Sequence, residues 1–343
     1  MSDTKLTRSP HLYSYVKVIP SYECARGCDY CYNRLLAQRS SPDSDAVLAT
    51  LDQVLGDAQG PMSVEVIGGE PLQRPALDDT QRVLSICRAD PRVTRTILST
   101  AIASVDVLRT VTPWLDLLYL SVDAGAHSAT NKKFVGARKL QEIVALASET
   151  GCQLSVSAVL SGEEQMAEIR DFIDLVMSAG IDSIGIVHTT GVYLSDKQID
   201  SICATYHQLF RLSLFLRPKV RIVNSFLESI EVSLMGGRRA AACECARNSV
   251  AIEPDGRIIP GLCIDHELPF ISPDRFAESQ AVRRQFLQSV DCGQCPLWSV
   301  CYGGCATEAR RFNGQFAAKA PFQCAIMLGV WRLVQNDLGS DLS

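Results

Sequence analysis

The chain has 343 residues, of which 47% are hydrophobic and 21% are charged. This length predicts one large domain or two ordinary ones, and the composition excludes collagen, coiled coils and wholesale disorder. The 33 Lys and Arg residues against 38 Asp and Glu residues give a net charge of −5, which argues against general nucleic-acid binding. No apolar run reaches the ~18 residues that cross a bilayer, and no hydrophobic signal segment opens the chain. We therefore expect a cytoplasmic protein that does not contact membranes.

Short apolar segments alternate with helical patterns after the first 14 residues, as in a parallel α/β fold. Helices with one apolar face are predicted at 45–58, 139–149 and 163–179. Six βα units are too few for a closed eight-unit barrel, so we predict an α/β fold with an open six-unit (βα)6 partial barrel. The six predicted strands are 15–19, 64–67, 96–99, 117–122, 154–159 and 184–187.

Eight of the cysteines lie after residue 240, and we predict a second unit there, a small Cys-rich α+β cluster-binding domain. The predicted organisation is an N-terminal extension (1–14), the partial barrel (15–215), a linker (216–240) and the cluster-binding domain (241–343).

Fourteen cysteines are the unusual feature of the composition. In a reducing compartment so many thiols are more consistent with metal ligation than with structural disulfides. Cys24, Cys28 and Cys31 form a C-x3-C-x2-C triplet. A closed [4Fe–4S] cluster needs four thiolates, so three leave one iron open to another ligand. The alternative is a structural zinc site, which also needs four ligands, and no histidine lies near the triplet.

Eight further cysteines follow residue 240, the number that two closed four-ligand clusters require. Two zinc ribbons would also use eight cysteines, so zinc is the alternative for this half on its own. The N-terminal triplet favours iron–sulfur clusters. The eight are Cys243, Cys245, Cys263, Cys292, Cys295, Cys301, Cys305 and Cys324.

Polar residues end or follow the predicted strands, at the edge where parallel α/β proteins place their sites. Each alone is consistent with ordinary turn chemistry. Because the cysteine triplet follows the first strand, we expect the open cluster and these polar groups to share one rim. The groups are Gly68-Gly69-Glu70-Pro71, Ser99, Ser121, Asp123, Ser157 and His188.

The triplet, with Tyr30 directly before its last cysteine, resembles the radical S-adenosylmethionine (SAM) superfamily, and Gly68-Gly69-Glu70-Pro71 matches the GGEP motif of that superfamily. The later cysteines resemble the SPASM extension, which carries two auxiliary clusters. The resemblance implies three [4Fe–4S] clusters, one of which binds SAM, and an electron donor of the flavodoxin or ferredoxin type.

The resemblance also implies roles for the matched residues. Cys24, Cys28 and Cys31 would hold the SAM-binding cluster. One auxiliary cluster would use Cys292, Cys295, Cys301 and Cys324, and the other would use Cys245, Cys263 and Cys305, with Cys243 as a candidate fourth ligand. The residues expected to contact SAM are Tyr30, Gly68, Gly69, Glu70, Pro71, Ser99, Ser121, Asp123, Lys133, Ser157 and His188.

The implied chemistry is reductive cleavage of SAM to a 5′-deoxyadenosyl radical, which abstracts a hydrogen from the substrate. Two auxiliary clusters favour a route by which the substrate radical loses an electron, with Asp265 as the candidate base. Redox-neutral epimerisation instead needs a thiol donor. The remaining cysteines, Cys87, Cys152 and Cys203, are predicted to be buried apolar residues rather than donors.

We predict oxidative modification of a peptide substrate, by crosslinking, oxidation or cleavage in ribosomal peptide maturation. Only 23 residues precede Cys24, so we expect either a separate leader-binding protein or a substrate that needs no leader. One alternative is a dehydrogenase or epimerase acting on a sugar or aminocyclitol. A non-enzymatic alternative is an iron–sulfur electron carrier or scaffold, which would not need the Gly68–Pro71 segment.

Overall fold

A mixed α/β fold is built around one twisted sheet in the computed structural model. The residues that the structure describes are 13–26, 28, 31, 41–102, 104–122, 135–162, 166–189, 192–216, 221–239, 248–261, 273–290, 292–315 and 317–340. Within them the sheet has nine strands. The strands are β1 (Tyr15–Val18), β2 (Met62–Val66), β3 (Val93–Thr100), β4 (Leu117–Ser121), β5 (Gln153–Leu160), β6 (Ser183–His188), β7 (Arg221–Val223), β8 (Ser249–Ile252) and β9 (Ile258–Ile259).

The strand order is β7-β6-β5-β4-β3-β2-β1-β8-β9. All neighbouring strands are parallel except β8 and β9, which are antiparallel. In the described part of the chain β7 and β9 are the two edges, so the sheet stays open. The open α/β sheet confirms the predicted fold class, and each of the six predicted strands is present.

Three strands lie beyond the six that were predicted. Strand β7 and a helix occupy the segment 216–240 that was predicted as a linker. Strand β8 lies in the predicted cluster-binding segment but pairs with β1, so the sheet continues across the predicted boundary. β7 has three residues and β9 has two, too few for a periodic pattern to stand out in the sequence.

Helices follow most of the strands and cover one face of the sheet. The predicted helices 45–58, 139–149 and 163–179 correspond to the first, fourth and fifth helices of the structure. The helices are α1 (Ser44–Asp57), α2 (Ala76–Ala89), α3 (Val105–Arg109), α4 (Ala137–Thr150), α5 (Met166–Ser178), α6 (Asp196–Leu216), α7 (Ser225–Leu234), α8 (Pro273–Val290), α9 (Trp298–Cys301), α10 (Ala306–Asn313) and α11 (Pro321–Ser340). None of them, within the described residues, has the length and apolarity to cross a bilayer.

The two faces of the sheet differ in chemistry because side chains alternate along each strand. Val64, Leu118 and Val156 are fully buried in the core against the helices. The opposite face, which we call the inner face, carries polar residues whose registers place Lys17 beside Glu65, Ser99 beside Tyr119 and Ser121 beside Ser157. The same core extends to α9 and α11, so the C-terminal region packs onto the sheet unit.

Candidate active site

The loop after β2 and the loop after β1 are in direct backbone contact. Gly69 N–H donates to Ser21 O over 2.9 Å, and Glu70 N–H donates to Glu23 O over 2.9 Å. Both loops leave the carboxyl ends of neighbouring parallel strands, where α/β folds place their sites. The Gly68–Pro71 segment therefore lies beside the chain that leads directly to Cys24.

The two glycines make this approach possible. A Cβ atom at Gly69 would lie 2.1 Å from Glu23 O, and one at Gly68 would lie 2.6 Å from Ser21 O. Gly68 also has a φ of 145°, a conformation that side chains disfavour. At both positions any larger residue would separate the loops.

Cys24 is held by hydrogen bonds on both sides along the chain. The carbonyl of Glu23 accepts from Glu70 N, and Ala25 N–H donates to Gln73 Oε1 over 2.9 Å. Of the triplet, Cys24 is exposed, Cys28 is buried and Cys31 is intermediate, and Cys31 N–H donates to Cys28 O over 3.1 Å. Residues 27, 29–30 and 32–40 lie outside the described residues, so Tyr30 keeps the status of a prediction.

Glu70 is buried, with an exposed fraction of 2%, and its carboxylate is bound by protein donors. Oε1 accepts from Thr100 Oγ1 at 2.5 Å and from Leu72 N at 3.2 Å, while Oε2 accepts from Ala101 N at 2.9 Å. The side chain therefore joins the loops after β2 and β3. Pro71 is also anchored, because its carbonyl accepts from Thr80 Oγ1 over 2.7 Å.

Glu65 is a second buried carboxylate, and it lies on the inner face. Tyr15 OH donates to it over 2.7 Å, Ser99 Oγ donates over 2.5 Å, and Lys17 Nζ lies 4.0 Å away. Burial and the Glu65 charge raise the pKa of Tyr15 far above its ordinary value. Ser99 was predicted from the sequence, but Glu65 was not. The sequence signal for Glu65 is that it is the one acidic residue of β2.

Ser121 and Ser157 continue the polar inner face on β4 and β5, as direct cross-strand partners. Their next neighbour on β6 is Gly185, where an added Cβ would lie 3.3 Å from the Cβ of Ser157. Val187 follows on the same face and is 46% exposed. Hydroxyl groups on β3 to β5 and an apolar side chain on β6 thus share one accessible surface.

His188 does not share this surface, which corrects the expected common rim. Strand alternation turns it to the helix-covered face, where its ring packs 4.8 Å from Phe226 and its Nδ1 lies 3.0 Å from Tyr206 OH. Burial lowers the pKa of His188 to about 4. The prediction considered only that His188 ends a strand. It did not consider which face of the sheet the side chain occupies. The other expected positions Asp123, Lys133 and Asp265, and the ligands Cys243, Cys245 and Cys263, lie outside the described residues.

Four C-terminal cysteines come together in the structure. They line one small cavity with apolar walls that include Trp298 and Met327. Burial, with Cys324 and the other cavity cysteines nearby, raises the pKa of Cys301 to about 12. Four converging thiols are the donor set that iron–sulfur clusters use, and zinc uses it as well. The four are Cys292, Cys295, Cys301 and Cys324.

Cys305 does not line that cavity, and its sulfur lies 2.8 Å from Thr307 Oγ1. Its expected place in a different cluster stays a prediction. Among the described residues no group of three Cys, His, Asp or Glu side chains is arranged to hold a metal ion. The four-cysteine cavity, which we call the four-cysteine site, fits a bound group by the chemistry of its donors and not by their present spacing.

The three remaining cysteines are buried, as predicted. Cys87, Cys152 and Cys203 have exposed fractions of 1%, 6% and 6%. Burial raises the pKa of Cys87 and Cys152 to about 12 and that of Cys203 to about 11. Cys203, on α6, packs against α11, where its sulfur contacts Ile326 O at 3.6 Å.

No family model matches the chain. Curated proteins similar to it include the PqqA peptide cyclase of Methylorubrum extorquens (strain PA1), which is 25% identical over 332 residues, covering 88% of this chain and 82% of that protein. The PqqA peptide cyclase of Methylobacterium sp. (strain 4-46) is 24% identical over 338 residues, covering 88% and 83%.

Several solved structures have the same fold. Native anSMEcpe with bound AdoMet and Cp18Cys peptide has a TM-score of 0.69 at 15% identity, covering 96% of this chain and 99% of that chain. Streptococcus suis SuiB bound to S-adenosylmethionine has a TM-score of 0.62 at 16% identity, covering 87% and 74%. SuiB bound to precursor peptide SuiA has a TM-score of 0.58 at 15% identity, covering 87% and 72%.

The solved structures establish the fold, and the curated relatives match most of the chain that carries both cysteine groups. The hydrogen-bonded contact between the GGEP loop and the Cys24 loop agrees with the resemblance of these motifs to radical SAM enzymes of the SPASM type.

Proposed function

We propose that this enzyme cleaves SAM reductively and oxidatively modifies a peptide substrate. The observation that carries the proposal is the hydrogen-bonded contact between the Gly68–Pro71 loop and the chain on either side of Cys24. A protein that only carries electrons does not need a second loop fixed beside a three-cysteine cluster loop. A SAM-binding enzyme does, because it must hold an amino acid group next to the open iron.

The cofactor assignment follows from the donor sets. Cys24, Cys28 and Cys31 would hold the SAM-binding [4Fe–4S] cluster, which when bound supplies the electron that splits SAM into methionine and a 5′-deoxyadenosyl radical. The four-cysteine site would hold one auxiliary cluster, and Cys305, with Cys245, Cys263 and Cys243, would hold the other. The full proposal is thus three clusters, with reduction by a flavodoxin- or ferredoxin-type donor.

The loops after β1 and β2, which are hydrogen-bonded to each other, would position the SAM molecule. The backbone of Gly68 and Gly69 lies at the carboxyl end of β2, where its polar groups face the cluster loop. Glu70 contributes by fixing that loop to Thr100 and Ala101. Such positioning matters because hydrogen abstraction needs the reacting atoms held close together.

The inner face would receive the substrate. It offers hydroxyl groups at Ser99, Ser121 and Ser157 and an apolar surface at Val187. A face of mixed polarity suits a peptide segment, which presents both amide groups and carbon side chains.

The peptide class is supported by the names of the similar proteins. The curated relatives are PqqA peptide cyclases, and the solved structures hold a Cp18Cys peptide or the precursor peptide SuiA. An oxidative outcome is supported by the converging thiols of the four-cysteine site and by the burial of Cys87, Cys152 and Cys203. Asp265 is proposed as the base that takes the substrate proton.

The first test is SAM cleavage by the anaerobically reduced protein. We expect 5′-deoxyadenosine from the wild type and none from a variant with Cys24, Cys28 and Cys31 all replaced by Ala. Cys152→Ala, which removes a buried thiol outside both cysteine groups, is the matched control and should retain cleavage. Cleavage that persists in the triple variant would overturn the assignment of the SAM-binding cluster.

The second test distinguishes the substrate classes by isotope transfer. Peptides deuterated at side-chain carbons and, separately, a deuterated sugar or aminocyclitol are incubated with enzyme, reductant and SAM. We expect deuterium to reach 5′-deoxyadenosine from a peptide, accompanied by a two-electron oxidation of that peptide. Transfer from the small molecule alone would favour the dehydrogenase or epimerase alternative.

A further inference from the structure

Arg283 is a buried cation on α8, a helix whose side chains are mostly exposed. It has an exposed fraction of 3%, whereas its neighbours Val282 and Phe286 on α8 are 67% and 49% exposed. Burying a guanidinium group is unfavourable unless acceptors surround it. The position of Arg283 therefore depends on what it binds.

Its partners include backbone carbonyls from two segments. Nη1 donates to Tyr302 O at 3.4 Å and to Gly304 O at 3.0 Å, and Nη2 donates to Gly303 O at 2.7 Å. Nε and Nη2 both donate to Ala318 O, at 3.2 and 2.8 Å. One guanidinium thus gathers three consecutive carbonyls and a fourth from a distant loop.

The three consecutive residues have an unusual backbone. Tyr302, Gly303 and Gly304 have φ values of 49°, 80° and 70°, and Tyr302 is the one non-glycine residue with positive φ among the described residues. Such a conformation persists only where the surroundings impose it. Arg283 supplies those surroundings, because its planar fork binds all three carbonyls at once.

The residues whose carbonyls Arg283 binds lie next to proposed cluster ligands along the chain. The 302–304 turn joins Cys301 to Cys305, and Ala318 leads into the helix that carries Cys324. The turn and that helix are also joined directly, because Ala320 N–H donates to Gly303 O over 2.9 Å. Arg283 therefore fixes the relative position of two of the four thiols without using either sulfur.

A second buried charge completes the scaffold. Glu308 has an exposed fraction of 6%, and its Oε1 accepts from Phe322 N and Gln323 N at 3.0 Å each, at the start of α11. Burial raises the pKa of Glu308 above its ordinary value, and the opposing effects of those N–H groups and of the Arg283 charge are smaller. Gln323 Oε1 in turn accepts from Cys305 N–H over 2.8 Å.

We propose that Arg283 is a positioning residue for the four-cysteine site: it sets the separation of Cys301 and Cys324 and places a fixed positive charge beside the cluster they hold. The inference rests on the proposed function, which assigns an iron–sulfur cluster to this site. A positive charge near the cluster favours its reduced form, so its removal should lower the midpoint potential.

The test uses the full chain with Cys24, Cys28 and Cys31 replaced by Ala, so that all bound iron is auxiliary. Into this background we introduce Arg283→Gln, which removes both fork and charge, and Arg283→Lys, which keeps the charge but not the fork. Arg332→Gln, at an exposed arginine of α11, is the control. The readouts are iron per chain, the rate of iron release to a chelator, and the midpoint potential of the auxiliary clusters.

We expect the background and the Arg332→Gln control to bind about eight irons. Arg283→Gln should release iron at least tenfold faster and have a lower midpoint potential. Arg283→Lys should release iron at least threefold faster, with a smaller change in potential, and it carries the test if Arg283→Gln does not fold. The inference is overturned if the variant that folds releases iron at a rate within twofold of the control and has the same midpoint potential within error. A background chain that binds no iron would instead refute the cluster assignment itself, and the inference with it.

Discussion

Glu70 and Ala101, which are 31 residues apart in the sequence, are joined by a hydrogen bond of 2.9 Å from the backbone N–H of Ala101 to Glu70 Oε2. The carbonyl of Ala101 accepts a hydrogen bond from Arg26 Nη2, two residues after Cys24. The Ala101 peptide therefore connects the loops that follow β1, β2 and β3. The acid of the GGEP motif thus contributes to the site by holding three strand-end loops together.

Replacing Glu70 by Gln should weaken this junction. The amide keeps the size of the side chain but places an NH2 group against one of the donors, Thr100 Oγ1 or Ala101 N. An unsatisfied buried donor costs about 1–3 kcal/mol, so we expect a loss of that size in the free energy of unfolding, measured by urea denaturation, and weaker SAM binding. Asp79→Asn is the control, because the ion pair of Asp79 with Arg82 is partly exposed and weak. Equal stabilities of the two variants would contradict the prediction.

Replacing Gly69 by Ala should separate the cluster loop from the GGEP loop. The new Cβ would lie 2.1 Å from Glu23 O, a backbone atom that cannot move without moving the chain before Cys24. Overpacking of this kind costs about 1–3 kcal/mol. We expect SAM cleavage to fall at least tenfold while the iron of the auxiliary clusters is retained.

Gly60→Ala is the matched control for that variant. Gly60 is exposed, precedes β2, and has no atom within 4 Å of an added Cβ. It should therefore cleave SAM at the wild-type rate. Normal cleavage by Gly69→Ala would show that the close approach of the two loops is not required.

The fold was predictable from the sequence where elements are long and periodic. The six barrel strands and helices such as α1 and α4 have clear apolar patterns. Strand β8 was not recognised because its four residues, Ser249–Ile252, lie between cysteine groups and pair with β1, far away in sequence. Long-range pairing of this kind leaves no local signal.

The site was predictable to the level of motifs but not of side-chain directions. The sequence placed Glu70 and His188 at strand ends, but the structure turns Glu70 towards Ala101 and His188 towards Tyr206. Arg283 carried no sequence signal, because one arginine on a polar helix looks like a solvated residue. Its role depends on carbonyls whose convergence arises only from tertiary packing.

Metal stoichiometry should reflect two separable groups of cysteines. We expect about 12 irons in the anaerobically prepared wild type and about eight in the Cys24/Cys28/Cys31→Ala variant. Cys292→Ala with Cys295→Ala should also leave about eight, because the four-cysteine site loses half its ligands. Iron near eight in the wild type would mean that one auxiliary cluster is absent, and zinc in its place would favour the zinc alternative.

The buried thiols should not take part in the reaction. Cys87→Ala, Cys152→Ala and Cys203→Ala each remove one small apolar group and should lower the free energy of unfolding by about 1–2 kcal/mol. The ratio of modified substrate to 5′-deoxyadenosine should stay at the wild-type value. A variant that still forms 5′-deoxyadenosine but no product would identify that thiol as a hydrogen donor and favour epimerisation.

The stability of the protein should depend on pH through His188. Burial lowers the pKa of His188 to about 4, so the folded chain keeps this imidazole neutral while the unfolded chain protonates it near its ordinary pKa. Between the two values the unfolded state binds more protons, so stability falls as the pH drops from about 6.5 towards 4.

From pH 8 to pH 5.5 this group alone should lower the free energy of unfolding by roughly 1 kcal/mol. His188→Gln replaces the ring with a side chain that does not titrate, and other titrating groups contribute equally to both proteins. We therefore expect the loss of stability between pH 8 and pH 5.5, measured by anaerobic urea unfolding, to be smaller in the variant by roughly 1 kcal/mol. If both proteins lose the same stability, His188 titrates normally in the folded state, and water must then reach the unpartnered Nε2 atom of its ring.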